Sequence, residues 1–101
     1  MVGARAYDRP VFVCYDIRPD RERKKVFEAC RDRGLKNIQY SVFYGMLNRK
    51  ARESLFSELC AIVPEGSGTL FVIPLEHDGS HRILCYGEPL GMGQPVAVRF
   101  V

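Results

Sequence analysis

The fold class this 101-residue sequence predicts is a two-layer α/β sandwich, with two helices on one face of a sheet and the other face open. Three observations lead there. Residues 11–17 are nearly all apolar or aromatic, with several β-branched members, which is the composition of a buried strand. Two later stretches, 19–33 and 49–63, carry apolar residues at helical spacing on one side only. Three more β-rich runs, at 38–47, 69–75 and 82–86, alternate with them. A chain of this length makes one domain and buries roughly 65% of its unfolded surface, enough for one core. A sheet covered on one side leaves its second face for a partner, so a dimer is expected.

The first strand, 11–17, breaks its apolar run at Asp16. Pro19 and Asp20 then open a helix: proline suits the first helical position, and an acid there meets the positive end of the helix dipole. Val26, Phe27, Ala29 and Cys30 form its narrow apolar stripe, and Gly34 suits its C-terminal cap. Residues 38–47 contain no Asn-Gly or proline turn, so composition alone reads them as one long strand kinked at Gly45. Asn48 is a good N-cap for the second helix, whose apolar face is Leu55, Phe56, Leu59, Ile62 and Val63, with Pro64 and Gly66 ending it. Pro74 marks the end or a free edge of the next strand. A loop with an Asp78-Gly79 turn leads to the strand at 82–86, and a glycine-rich connection leads to a strand-like tail at 96–101. A strand left over after the core is complete is suited to pairing with a neighbouring chain. Residues 1–10 read as a flexible leader, 11–87 as the domain, and 88–101 as linker and final strand.

Composition excludes several classes. No apolar run approaches the roughly 18 residues that a membrane span needs, and residues 1–10 have no secretory h-region, so a cytoplasmic location is expected. Cys14, Cys30, Cys60 and Cys85 lie far apart inside apolar segments, with no C-x-x-C spacing, so they read as free buried thiols rather than a zinc or redox site. Net charge is +3, but its distribution is uneven: residues 18–36 carry eight bases and four acids, so that segment is +4 and the remainder −1. Such a run is either a solvated helix face or a phosphate-contacting surface. Asp16 is equally open on local grounds. It either accepts hydrogen bonds from the Pro19-Asp20 turn or helps to hold a metal ion or a reacting phosphate.

Four features in order carry a resemblance: Tyr15, Asp16 and Ile17 closing a strand; a basic helix ending at Gly34 and Leu35; Ile38, Gln39, Tyr40, Ser41, Val42 and Phe43 with Gly45 just after; and an amphipathic helix leading to Val72, Ile73, Pro74 and Leu75. Over about residues 11–87 the chain resembles the Cas-two family of CRISPR-associated proteins, the small subunit of the spacer-acquisition machinery. The resemblance implies a ferredoxin-like βαββαβ sandwich with a further C-terminal strand that adds to the partner subunit. It also divides residues 37–47 into two short antiparallel strands turning near Tyr40 and Ser41. It implies a homodimer in which the two copies of Asp16 meet and hold Mg²⁺, or another divalent cation such as Mn²⁺, which makes Asp16 both metal ligand and catalytic residue. Tyr15, Arg23, Lys25, Ser41 and Phe43 match family positions suited to nucleic acid, with ordinary core or interface packing as the other reading of Tyr15 and Phe43. In one departure, Asn37 stands where some members carry a base, and Lys36 beside it would point to the other strand face. His77 and His81 match nothing in the family and read as solvated loop residues.

The resemblance implies two functions. One is a metal-dependent endonuclease acting on RNA or double-stranded DNA. The other is a subunit that binds duplex DNA and bridges the Cas-one integrase while a new spacer is inserted. A related ferredoxin-like toxin ribonuclease is a third reading.

Overall fold

The computed structural model describes residues 8–75, 83–86 and the backbone of 99–100. Its elements run β1 (Arg9–Ile17), α1 (Asp20–Asp32), β2 (Lys36–Gln39), β3 (Val42–Leu47), α2 (Arg49–Ile62), β4 (Gly68–Pro74), β5 (Leu84–Cys85) and β6 (Arg99–Phe100). Strands β1 to β4 form one sheet in the order β2-β3-β1-β4, with every neighbouring pair antiparallel. This is the βαββαβ ferredoxin-like arrangement that the resemblance implies. The leader at 1–7, the Asp78-Gly79 turn, His77, His81 and the linker at 87–98 lie outside the described residues.

Strand alternation builds the core. On β1, Val11, Val13, Tyr15 and Ile17 are buried and face the helices. They pack with Val26, Ala29 and Cys30 of α1, Leu55 and Leu59 of α2, and Phe43 and Leu47 of β3. Phe12, Cys14 and Asp16 take the opposite face, which no described helix covers. The register sets Phe12 beside Tyr44 and Ile73, Cys14 beside Val42 and Phe71, and Asp16 beside Thr69. Phe12 and Tyr44 touch there, with ring centroids 4.8 Å apart, in a small second cluster with Ile38, Val42 and Ile83.

Most element boundaries fall within two residues of those read from the sequence. Pro19 is the cap before α1 rather than its first helical residue, and Gly34 follows that helix at φ 84°. Asn48 caps α2 as expected: its side-chain oxygen accepts from the Ala51 amide at 2.8 Å.

Four local expectations are corrected. Residues 38–47 are not one strand. Gly45 lies inside β3 and pairs with Val11, while the chain reverses at Tyr40 and Ser41, with Ser41 at φ 59°. Phe56 is 44% exposed, because α2 buries only Leu55 and Leu59 fully. Cys60 is exposed rather than buried. Of the strand read at 82–86, the described residues 83–86 hold only the two of β5, which pairs in parallel with β6.

Candidate functional site

The sequence candidates gather at the end of β1 where the chain turns into α1. Asp16 is the penultimate residue of that strand and is exposed on the open face of the sheet. Its backbone is closely held. Gly68 of β4 passes so near that an added Cβ would stand 2.2 Å from the Asp16 carbonyl oxygen and 2.8 Å from the Ile17 Cα. Only glycine permits that approach, so Gly68 helps fix where the carboxylate stands.

Tyr15 points the other way. It is 8% exposed, and its ring stacks on Phe43 with centroids 6.4 Å apart. Phe43 is 1% exposed and also meets Phe27 edge-on at 5.0 Å. Both aromatics belong to the helix-side core of the chain. Burial pushes the Tyr15 hydroxyl up to about 12, with Cys30 adding to the shift and Arg23 opposing it.

Arg23 is committed to the junction. Its guanidinium donates to the carbonyls of Ile17 at 3.0 Å and Arg18 at 3.1 Å, and it pairs with Asp20 one turn back. It thereby ties the first turn of α1 to the strand end that carries Asp16. The family pattern singles out Arg23 for nucleic acid, but nothing in residue type or spacing marks it for this bracing role. Lys25, in contrast, is exposed and pairs with no described acid.

Ser41 accepts the Tyr15 amide at 3.0 Å through its backbone carbonyl, which joins the β2–β3 turn to β1. Asn37, the departure from the family pattern, spends its side-chain amide on the carbonyls of Gln39 at 2.9 Å and Val42 at 3.1 Å. It braces that turn. Tyr15, Arg23 and Ser41 share one depression between α1 and the turn, whereas Asp16 and Lys25 do not line it. The sheet therefore separates the candidates into two groups: a carboxylate on the open face, and a basic, aromatic-lined depression on the helix side.

The open face itself was not named residue by residue from the sequence. Phe71 is 61% exposed, Met46 51% and Ile73 43%, all on strands flanking Phe12 and Cys14. The signal was present in β4, where Leu70 and Val72 pack inward while Phe71 and Ile73 point outward. A strand apolar on both faces is one whose second face is suited to burial. Among the described residues, no three His, Cys, Asp or Glu side chains cluster as a metal site.

The chain is thus a small ferredoxin-like domain with an open apolar sheet face, a carboxylate at the end of its first strand and a cationic helix behind it. The family profile described as CRISPR associated protein Cas2 matches residues 10–83, and the chain belongs to that family. It is 46% identical over 63 residues to the CRISPR-associated endoribonuclease Cas2 of Desulforudis audaxviator, covering 62% of this chain and 59% of that one. It is 42% identical over 74 residues to a second protein of that name from Chloroflexus aurantiacus, covering 71% and 87%. The chain thus spans less than two thirds of the first relative. The fold is also that of a hypothetical protein from Thermus thermophilus solved by crystallography (TM-score 0.63, 28% identity, 67% and 82% covered). A crystal structure of a Cas2 protein shares it as well (TM-score 0.60, 23% identity, 88% and 98% covered). No helix among the described residues is long and apolar enough to cross a membrane.

Proposed function

We propose that the chain acts in CRISPR adaptation as a homodimer that binds duplex DNA through its α1 helices and bridges Cas-one integrase subunits during spacer insertion. The observation that carries this reading is the state of the α1 cations. Arg21, Lys24 and Lys25 are exposed and pair with no described acid, so the fold makes no use of their charge. Two such helices, related by a two-fold axis, would give a duplex sequence-independent phosphate contacts.

The test is blunt-duplex affinity measured across salt concentrations. Binding should weaken steeply with salt, and Lys25→Ala should lower the log-log slope by about one. Arg23→Ala should act differently. It should cost about 1–2 kcal/mol of stability, because it removes hydrogen bonds to two carbonyls. A duplex affinity that does not respond to salt, or to Lys25→Ala, would overturn the assignment.

A second reading, a divalent-metal endonuclease acting on RNA or DNA, is favoured by the exposure of Asp16 and by the endoribonuclease names of the relatives. Mg²⁺ takes one or two carboxylates plus water and phosphate oxygens. The exposed Asp16 of each chain would fit that demand when a second copy supplies its own, and Mn²⁺ would meet the same ligands. When bound, the metal would supply water activation and charge neutralisation at the scissile phosphate. The residues of the chain do the holding: Gly68 and Thr69 of β4 set the strand end, and Arg23 ties it to α1.

A further inference from the structure

The depression between α1 and the β2–β3 turn holds a side chain that the fold does not account for. Tyr40 stands at the turn and is 87% exposed, so it contributes little to the core. Turn chemistry at such a place favours asparagine, glycine or aspartate, which tolerate the left-handed backbone that Ser41 adopts next door. The turn is nonetheless well braced. Asn37 donates to the carbonyls on both sides of it, and the Gln39 side chain accepts from the Tyr40 amide at 3.1 Å. An aromatic ring is thus presented to solvent on a fixed platform.

Its surroundings are cationic. The depression, about 290 Å³, is lined by Tyr40, Lys24, Arg23 and Phe27 among others, and its acid, Asp20, is already paired with Arg23. Lys24 is exposed and has no described partner. A ring beside an unspent ammonium is the pairing that single-stranded nucleic acid selects, because any base can stack on the ring while the backbone meets the charge. A blunt duplex keeps its bases paired and offers only the outer face of its terminal pair, whereas an unpaired base can swing out and enter the depression.

We propose that this depression takes an unpaired nucleotide next to a duplex end, with its base stacked on Tyr40 and its phosphate on Lys24. The inference rests on the reading of α1 as a duplex-binding surface and adds to it a recognition element for strand ends. Tyr40 is thereby a specificity residue that distinguishes a frayed or overhanging end from a blunt one. Lys24 adds charge without sequence preference, so the site selects for an unpaired base and not for a particular base.

The test compares a blunt duplex with the same duplex bearing a five-nucleotide overhang that contains 2-aminopurine, at one salt concentration. The wild-type protein should bind the overhang form about tenfold more tightly and quench the 2-aminopurine. Tyr40→Ala should lose both effects and keep blunt-duplex affinity, while Tyr40→Phe should retain both. The exposure of Tyr40 makes these variants safe for folding. Lys24→Gln should weaken overhang binding and leave quenching in place at saturation. Equal affinity of the wild type for the two duplexes, or equal quenching by Tyr40→Ala, would overturn this inference while leaving duplex binding intact. Failure of the wild type to bind even the blunt duplex would overturn both readings together.

Discussion

Tyr15 and Asp16 are consecutive in β1, yet the strand sends them to opposite faces of the sheet: the tyrosine ring into the helix-side core, the carboxylate onto the open face. Their adjacency is therefore mechanical. Tyr15 anchors the strand that carries Asp16, and Ser41 holds the Tyr15 amide from the neighbouring turn.

Asp16→Asn should leave the fold unchanged, within about 0.5 kcal/mol, because the side chain is exposed. On the metal-endonuclease reading, divalent-metal-dependent phosphodiester cleavage should fall by more than about 100-fold, because the anionic oxygen donor becomes a neutral amide. Duplex binding should persist. Thermal melts, a cleavage assay and a binding titration on the same preparation check all three.

Gly68→Ala should be costly although the residue bears no side chain. The added carbon would meet the Asp16 carbonyl at 2.2 Å, so β4 must move away from β1. Overpacking of this kind costs about 1–3 kcal/mol. A lowered denaturation midpoint is the expected result, and on the metal-endonuclease reading cleavage should fall beyond the loss of folded protein.

Alkaline pH should destabilise the protein through two buried groups. Burial, aided by Glu58, pushes the Cys30 thiol from 9.0 up to about 12, and burial, with Cys30 next, pushes Tyr15 from 10.0 up to about 12. Above pH 9 the unfolded chain loses these protons first and binds fewer than the folded chain, so stability falls as pH rises. Their contribution should be flat below pH 9 and disappear between 9 and 12. Denaturant midpoints across that range check the sign. Cys30→Ala combined with Tyr15→Phe should flatten the decline.

Phe71→Glu should prevent self-association. The residue is 61% exposed on an edge strand, beside Ile73 and across from Cys14, and a charge there would be buried without a partner in a stacked pair of sheets. Light scattering should find a dimer for the wild type and a monomer for the variant, with helical circular dichroism unchanged. A wild-type monomer would contradict the proposed assembly.

Periodicity was a good guide where local and tertiary demands agree. The alternation of β1, the stripe of α1 and the Asn48 cap could all be read from residue type. The division of residues 38–47 into two strands could not. No Asn-Gly or proline turn stands there, and the reversal is held by the Tyr15 amide of β1 on the Ser41 carbonyl and by Asn37, which reaches Gln39 on its own strand and Val42 on the next. Phe56 fitted the apolar face of its helix, but α2 buries Leu55 and Leu59 fully, packs Ala51, Ile62 and Val63 against the core, and leaves Phe56 44% exposed.

The same division applies to the candidate site. Residue type and spacing by themselves determined a two-layer α/β chain with an acid closing its first strand and a surplus of bases in its first helix, and the ferredoxin-like strand order came only with the family resemblance. Only the tertiary structure decided what each group does. It turned Arg23 inward to two carbonyls, left Lys24 and Lys25 outside, sank Phe43 into the core and raised Tyr40 into solvent. Spacing along a chain sets which face a side chain takes, but a side chain's partners come from strands and helices distant in sequence, and only folding brings those within reach.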